Sequence, residues 1–185
     1  MRARNDNELK WDDNQVSIGR VSFPGVADPR WRKYDHGIGS GVEFDVLGFA
    51  VNDYINFDIQ TYHKMQLNSD LDCHIHFILP NTTNIGDKFQ FQLDVICSGI
   101  GDQYSVPTGS PFTAEYTIVA DDDSTHRLLD LADIVGCNTT VSSIYSCKLT
   151  RISASSNEYG SEVYVKYIDS HYKIDDRGSQ EETSK

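Results

Sequence analysis

The sequence predicts an all-β domain, an antiparallel β-sandwich or jelly roll with an extended N-terminal arm, and three observations carry that expectation. From Val42 onward, short stretches rich in β-branched and aromatic residues recur, separated by Gly, Pro, Asn or Asp, which is the punctuation of sandwiches and barrels. Several of them alternate apolar and polar side chains with a period of two, as half-buried strands do. The length of 185 residues suits one core rather than two.

Taken in order, residues 1–41 are rich in Gly, Asp, Asn and Arg, hold Pro24 and Pro29, and show no sustained strand or helix period. They are expected to form the extended arm. Gly37-Ile38-Gly39-Ser40-Gly41 would be its hinge, because that run neither follows a strand nor contains the Lys of a phosphate loop. The domain is expected over 42–176, with strands near 43–50, 54–62, 71–79, 88–97, 112–120, 126–134, 143–153 and 162–174. Alternation is clearest in Lys88–Val95, where Phe89, Phe91, Leu93 and Val95 share one face. Val163–Ile168 carries aromatic and β-branched residues on both faces, so it is either central or faces a partner. Thr125–Ile134 could start as a helix behind Asp121-Asp122-Asp123, but its place between strands favours a strand. Residues 177–185 are expected to be a polar tail.

The formal charge of −12 speaks against nucleic acid as a partner, since such affinity comes mostly from Lys and Arg releasing counterions. No apolar run approaches the roughly 20 residues that span a bilayer, and Met1–Glu8 leads into no signal-peptide h-region. The charge is unevenly spread. Through Lys33 there are seven basic and five acidic side chains, so this stretch carries +2 and the remainder −14. The arm also holds both tryptophans, large amphipathic anchors with little beside them to bury them. Trp11, Phe23, Arg30, Trp31 and Arg32 are therefore expected to dock the arm on a partner, and deleting residues 1–36 to leave a folded domain. Cys73, Cys97, Cys137 and Cys147 have no C-x-x-C spacing and are expected to be reduced, buried thiols. With synthesis in the cytosol, the sequons at Asn81 and Asn138 carry no chemistry.

The one segment that suggests a metal is Asp70-Leu71-Asp72-Cys73-His74-Ile75-His76-Phe77, where a strand period places Asp70, Asp72, His74 and His76 on one face. A cupin-type site needs a Glu shortly after the second His and another His on a later strand. Pro80, Asn81, Thr82 and Thr83 occupy the first of these places. No metal or other cofactor is therefore expected. The histidines should hydrogen-bond to Asp70, Asp72 or a carbonyl and pack at a sheet or subunit contact. No serine sits in a G-x-S-x-G elbow, which argues against a hydrolase, and Asp121-Asp122-Asp123 lacks the Gly and distal Glu of a calcium loop. Any exposed ones among the ten tyrosines would allow a carbohydrate-binding module.

Three segments resemble a family of structural proteins of tailed bacteriophages. The first is Trp11-Asp12-Asp13, followed by Phe23-Pro24. The second is Asn68–Phe77, similar to Gly-Thr-Asp-hydrophobic-x-Pro-His-hydrophobic-His-Trp, with Cys73 in place of the Pro and Phe77 in place of the Trp. The third is Ile168–Glu181, with His171, Tyr172, Asp175 and Gly178 at the motif positions. The resemblance implies a virion component with a sandwich or jelly-roll domain, acting as a multimer and without catalysis. A capsid decoration or cement protein is the leading expectation. It would be a homotrimer on a symmetry axis of the head, its arm bound to the major capsid protein. A tail, neck or head-fibre component is the alternative.

Overall fold

A computed structural model describes residues 10–35, 41–80, 84–137 and 139–175. Ten strands form: β1 Lys10–Ser17, β2 Arg30–Tyr34, β3 Phe44–Phe49, β4 Tyr54–Gln60, β5 Leu71–Ile78, β6 Lys88–Ser98, β7 Phe112–Thr117, β8 Arg127–Ile134, β9 Ile144–Ile152 and β10 Val163–Ile174. They make two antiparallel sheets, one ordered β2-β3-β10-β5-β8 with β1 also on β10, the other β4-β9-β6-β7. The long β10 serves two neighbours along one edge: Val163–Val165 pairs with β3, and Tyr167–Ile174 with β1. Among the described residues, no helix is long and apolar enough to cross a membrane.

Each strand expected from Val42 onward forms. In β6 the alternation works as written: Phe89, Phe91, Leu93, Val95 and Cys97 are buried, and edge-on ring contacts join Phe77 to Phe89 at 5.1 Å and Phe49 to Phe91 at 5.4 Å. Residues 127–134 are a strand, not a helix, because Leu129, Leu131 and Ile134 face the core while the backbone pairs with β5. β10 is central, as its apolar character on both faces allowed. A bulge between Val165 and Tyr167 shifts its phase, so that Val163, Val165, Ile168 and Tyr172 all point into the core. The same shift turns Tyr167, Asp169 and His171 outward, beside His76, His74 and Asp72 of β5.

The extended arm is a correction: within residues 10–35, two segments are strands of the larger sheet. β1 pairs with β10 from Lys10↔Ile174 to Ser17↔Tyr167, and β2 pairs with β3 from Arg30↔Gly48 to Tyr34↔Phe44. Their sequences hid this because Lys10–Gln15 is almost wholly polar and main-chain ladders need no apolar side chain. Val16, Ile18, Pro29 and Tyr34 are the positions of this stretch that are buried. Arg32 spans Gly48 to make a two-pronged bridge to Glu162, with both N–H···O distances 2.6 Å. A Cβ on Gly48 would lie 2.5 Å from that carboxylate, so the close approach requires glycine. Hinge residues 37–40, both sequon asparagines and the tail 177–185, with Gly178, lie outside the described residues.

The cysteines divide. Cys73 and Cys147 are free and buried, and burial pushes both thiols well above their usual range, which makes them inert. Cys97 and Cys137, expected to be reduced, form a disulfide with Cα atoms 5.8 Å apart. The fold carries the end of β6 to the loop after β8, a proximity that a separation of 40 residues does not reveal. A loop of that length is stabilised by about 4 kcal/mol on the chain-entropy account. Reductant is therefore expected to lower the Tm of the wild type and leave a Cys97→Ser/Cys137→Ser variant unmoved. Equal response of the two proteins would show that the bond contributes nothing.

Candidate functional site

The outer face of the larger sheet gathers most of the described histidines. Strand register sets the pattern: Asp13 of β1 lies opposite His171 of β10, which lies opposite Asp72 of β5, and the next outward pair is Asp169 and His74. Asp169 sits between two imidazoles. Its Oδ2 is 3.8 Å from His74 Nε2 and 3.6 Å from His76 Nε2, while its Oδ1 accepts the Ser170 N–H at 2.8 Å. The side chains of His74 and Asp169 are each 4% exposed.

Two more histidines complete the cluster. His126, just before β8, stacks on His76 with centroids 4.9 Å apart, and its Nε2 is 2.6 Å from His76 Nδ1. His171 packs edge-on against His74 at 4.6 Å and pairs with Asp13 at 3.1 Å. Burial, then the neighbouring His74 and His126, hold the His76 imidazole below its ordinary value, so it is neutral at pH 7. His76 Nε2 is buried without a hydrogen-bond partner. Next to this group, burial and the like charges of Asp133 and Asp130 push the Asp72 carboxyl up, and these three aspartates line one shallow pocket.

Of the residues that the sequence singled out, His74, His76 and His171 thus come together. Asp70 precedes β5 and belongs to neither group of closely spaced ligand-type atoms, which are His74, His76, Asp169 and Asp13, Asp169, His171. The carboxylate that faces His74 and His76, at 3.8 and 3.6 Å, is that of Asp169 from the neighbouring strand rather than the expected Asp70 or Asp72. Tyr172 points the other way, into the sandwich: its hydroxyl lies 3.4 Å from Asp12 Oδ2, and burial pushes the phenol up to about 12. Lys64 bridges to the same Asp12 carboxylate, and the Asp175 N–H donates to the Lys64 carbonyl at 3.1 Å. Sequence reasoning missed Asp169 and His126. For the first a signal existed: Asp169-Ser170-His171 places a carboxylate and an imidazole on one strand face, the counterpart of His74-Ile75-His76.

The expected docking residues do not form one patch. Trp11, 53% exposed, sits opposite Lys173, whose Nζ lies 5.4 Å from its ring centroid. Trp31, 49% exposed, sits beside Phe23 at 6.3 Å on β2, level with Leu47 and hence Val165. The two tryptophans are therefore separated by roughly 27 Å along β10. Arg30 is exposed, whereas Arg32 is committed to Glu162. On the other sheet, a cleft of about 520 Å³ is lined by residues including Asn56, Asp58, Asp94, Ser146 and Lys148. Its described lining contains no Tyr or Trp, so the stacking platform of a carbohydrate-binding module is not found there.

The fold defines a two-sheet antiparallel β-sandwich. No protein-family model and no curated protein matches the chain. Among solved structures, the mosquito-larvicidal Cry4Aa toxin of Bacillus thuringiensis is similar at 13% identity and TM-score 0.49, over 88% of this chain and 24% of the toxin. The enzymatically active domain of tailspike protein 4 of bacteriophage CBA120 is similar at 10% identity and TM-score 0.36, over 89% of this chain and 19% of that domain. A family 61 carbohydrate-binding module bound to β-1,4-galactotriose is similar at 8% identity and TM-score 0.34, over 88% of each chain. The chain thus spans about a quarter of the toxin and a fifth of the tailspike domain.

Proposed function

We propose that the chain is a non-enzymatic structural protein of a tailed-bacteriophage virion, a capsid decoration or cement protein. In this reading it self-associates as a trimer on the outer capsid surface and binds the major capsid protein to stabilise the head. The observation that carries the reading is where the three resembling segments lie. Far apart in sequence, the stretches Trp11–Asp13, Leu71–Phe77 and Ile168–Ile174 of these segments lie in β1, β5 and β10, and β10 is hydrogen-bonded to both others. Trp11-Asp12-Asp13 meets His171-Tyr172 through the Asp13–His171 pair and the Asp12–Tyr172 contact, so the motif residues act as one unit. Exposed Trp11, Phe23 and Trp31 supply the aromatic anchors that a protein interface uses. The acidic surface suits a partner other than nucleic acid.

Heads purified without this protein are expected to lose resistance to heat and low salt, and to regain it when the protein is added. Equal resistance with and without it would defeat the cement role, and particle reconstruction would then place the chain in the tail, neck or a fibre. Within a cement interface, Trp31→Ala is expected to weaken head binding by about 2 kcal/mol, roughly thirtyfold, because buried aromatics dominate interface energetics. Lys10→Ala, a charge change, should do much less. Equal losses in a binding titration would show that Trp31 is no anchor.

A further inference from the structure

The outer-face cluster has a geometry that hydrogen bonding does not explain. Asp169 Oδ2 stands 3.6 and 3.8 Å from two imidazole Nε2 atoms, too far for a hydrogen bond. Ligands bound at about 2.0–2.1 Å to one tetrahedral zinc stand about 3.4 Å apart. The ligand atoms of His74, His76 and Asp169 all lie within 4.8 Å of one another. His76 Nε2, buried without a partner, needs an explanation of the kind a bound ion supplies. The outer partners are also in place. His76 Nδ1 faces His126 Nε2 at 2.6 Å, and with the proton on Nδ1 this contact leaves the Nε2 lone pair free to ligate. The Ser170 N–H fixes the other oxygen of Asp169.

We propose that His74, His76 and Asp169 form a three-ligand site for a divalent transition-metal ion of the zinc class, with His126 holding His76 in the ligating tautomer. Two imidazole donors and one carboxylate suit such ions better than calcium or magnesium, which prefer oxygen donors. Asp130 lies opposite His74, and Asp13 and Asp72 lie on either side of His171, and carboxylates beside the site favour a cation. Three protein ligands leave a fourth position for water or a residue of a second copy. The ion would staple β5 to β10, independently of any role in a virion.

The test uses the untagged full chain, stripped with a chelator and titrated with zinc by calorimetry, with cobalt as the spectroscopic probe. One ion per chain is expected, with a zinc-dependent rise in Tm and the visible absorption of four- or five-coordinate cobalt. His126 is exposed, so His126→Ala spares the core. It should weaken binding roughly 10- to 100-fold, as loss of an outer partner does. His76→Gln and Asp169→Asn, checked for cooperative melting, should weaken it further, while Asp70→Asn should bind like the wild type. Less than one ion per several chains, or binding unchanged in both His76→Gln and His126→Ala, would overturn the proposal.

Discussion

Arg151→Met is expected to lower the unfolding free energy by about 3–5 kcal/mol, the range for removing one partner of a buried ionic network. Arg151 is 1% exposed, on β9 between the two sheets. Its guanidinium donates to the Phe49 carbonyl at 2.8 Å, to the Ser161 carbonyl at 2.6 Å, to Glu158 Oε1 at 2.7 Å and to the Tyr159 carbonyl. Through these bonds one side chain ties the end of β3 to the loop between β9 and β10. Glu158 extends the network by accepting the Ala154 N–H. Methionine preserves much of the stem packing but leaves three carbonyls and a carboxylate without their donor, and unmet buried acceptors cost more than the bonds contributed. Arg151→Lys should fall between, because an ammonium cannot reach all four acceptors in the planar arrangement of a guanidinium. Urea unfolding at pH 7 measures both variants. A loss below about 1 kcal/mol for the Met variant would show that the loop satisfies its carbonyls elsewhere.

Arg151 also shows why sequence patterning reads some parts of this molecule and not others. Alternation gave β6 its face, and the strands on either side gave 126–134 its strand character, because both signals are local in sequence. Alternation puts Arg151 on the face of Tyr145, Cys147 and Leu149, but its charge reads as solvent-facing and nothing local supplies the partners that let it be buried. Its burial depends on carbonyls contributed by β3 and by a loop up to ten residues away along the chain. The histidine cluster divides in the same way. The H-x-H face of β5 was legible, but Asp169 joins it only through the β5–β10 register, and the bulge near Lys166 sets the phase of that register. A cupin pattern puts its further ligands shortly after the second His and at a His of a later strand, whereas the carboxylate here comes sideways from a strand almost a hundred residues later. The Cys97–Cys137 bond was hidden for the same reason.

Deleting residues 1–36 is expected to abolish cooperative folding, which reverses what the polar composition of that stretch suggests. The deletion removes β1 and β2, and with them Val16, Ile18 and Tyr34, each at most 7% exposed. Full burial of each such side chain is worth about 1.5–3 kcal/mol as an upper estimate. It also removes Arg32, partner of Glu162, and Asp12, partner of Lys64. Together these losses approach the whole stability of a typical domain, about 5–15 kcal/mol. The truncated chain would in addition open β3 and β10 as unpaired edges, and open edges invite aggregation. Circular dichroism and thermal melting of the purified fragment are expected to show no sharp transition, and size-exclusion chromatography to show aggregates. Trp11→Ala and Trp31→Ala in the full chain form the necessary contrast. Both rings are about half exposed, so their loss should change stability by about 0.5 kcal/mol or less while affecting any partner that covers them. If the fragment instead melts sharply and stays monomeric, the pairing of β1 and β2 adds little to the fold, and these segments are free to leave the sheet for a neighbour. If it collapses while the tryptophan variants stay folded, the N-terminal segment belongs first to its own sandwich, and any docking uses only the faces of Trp11, Phe23 and Trp31 that this pairing leaves outside.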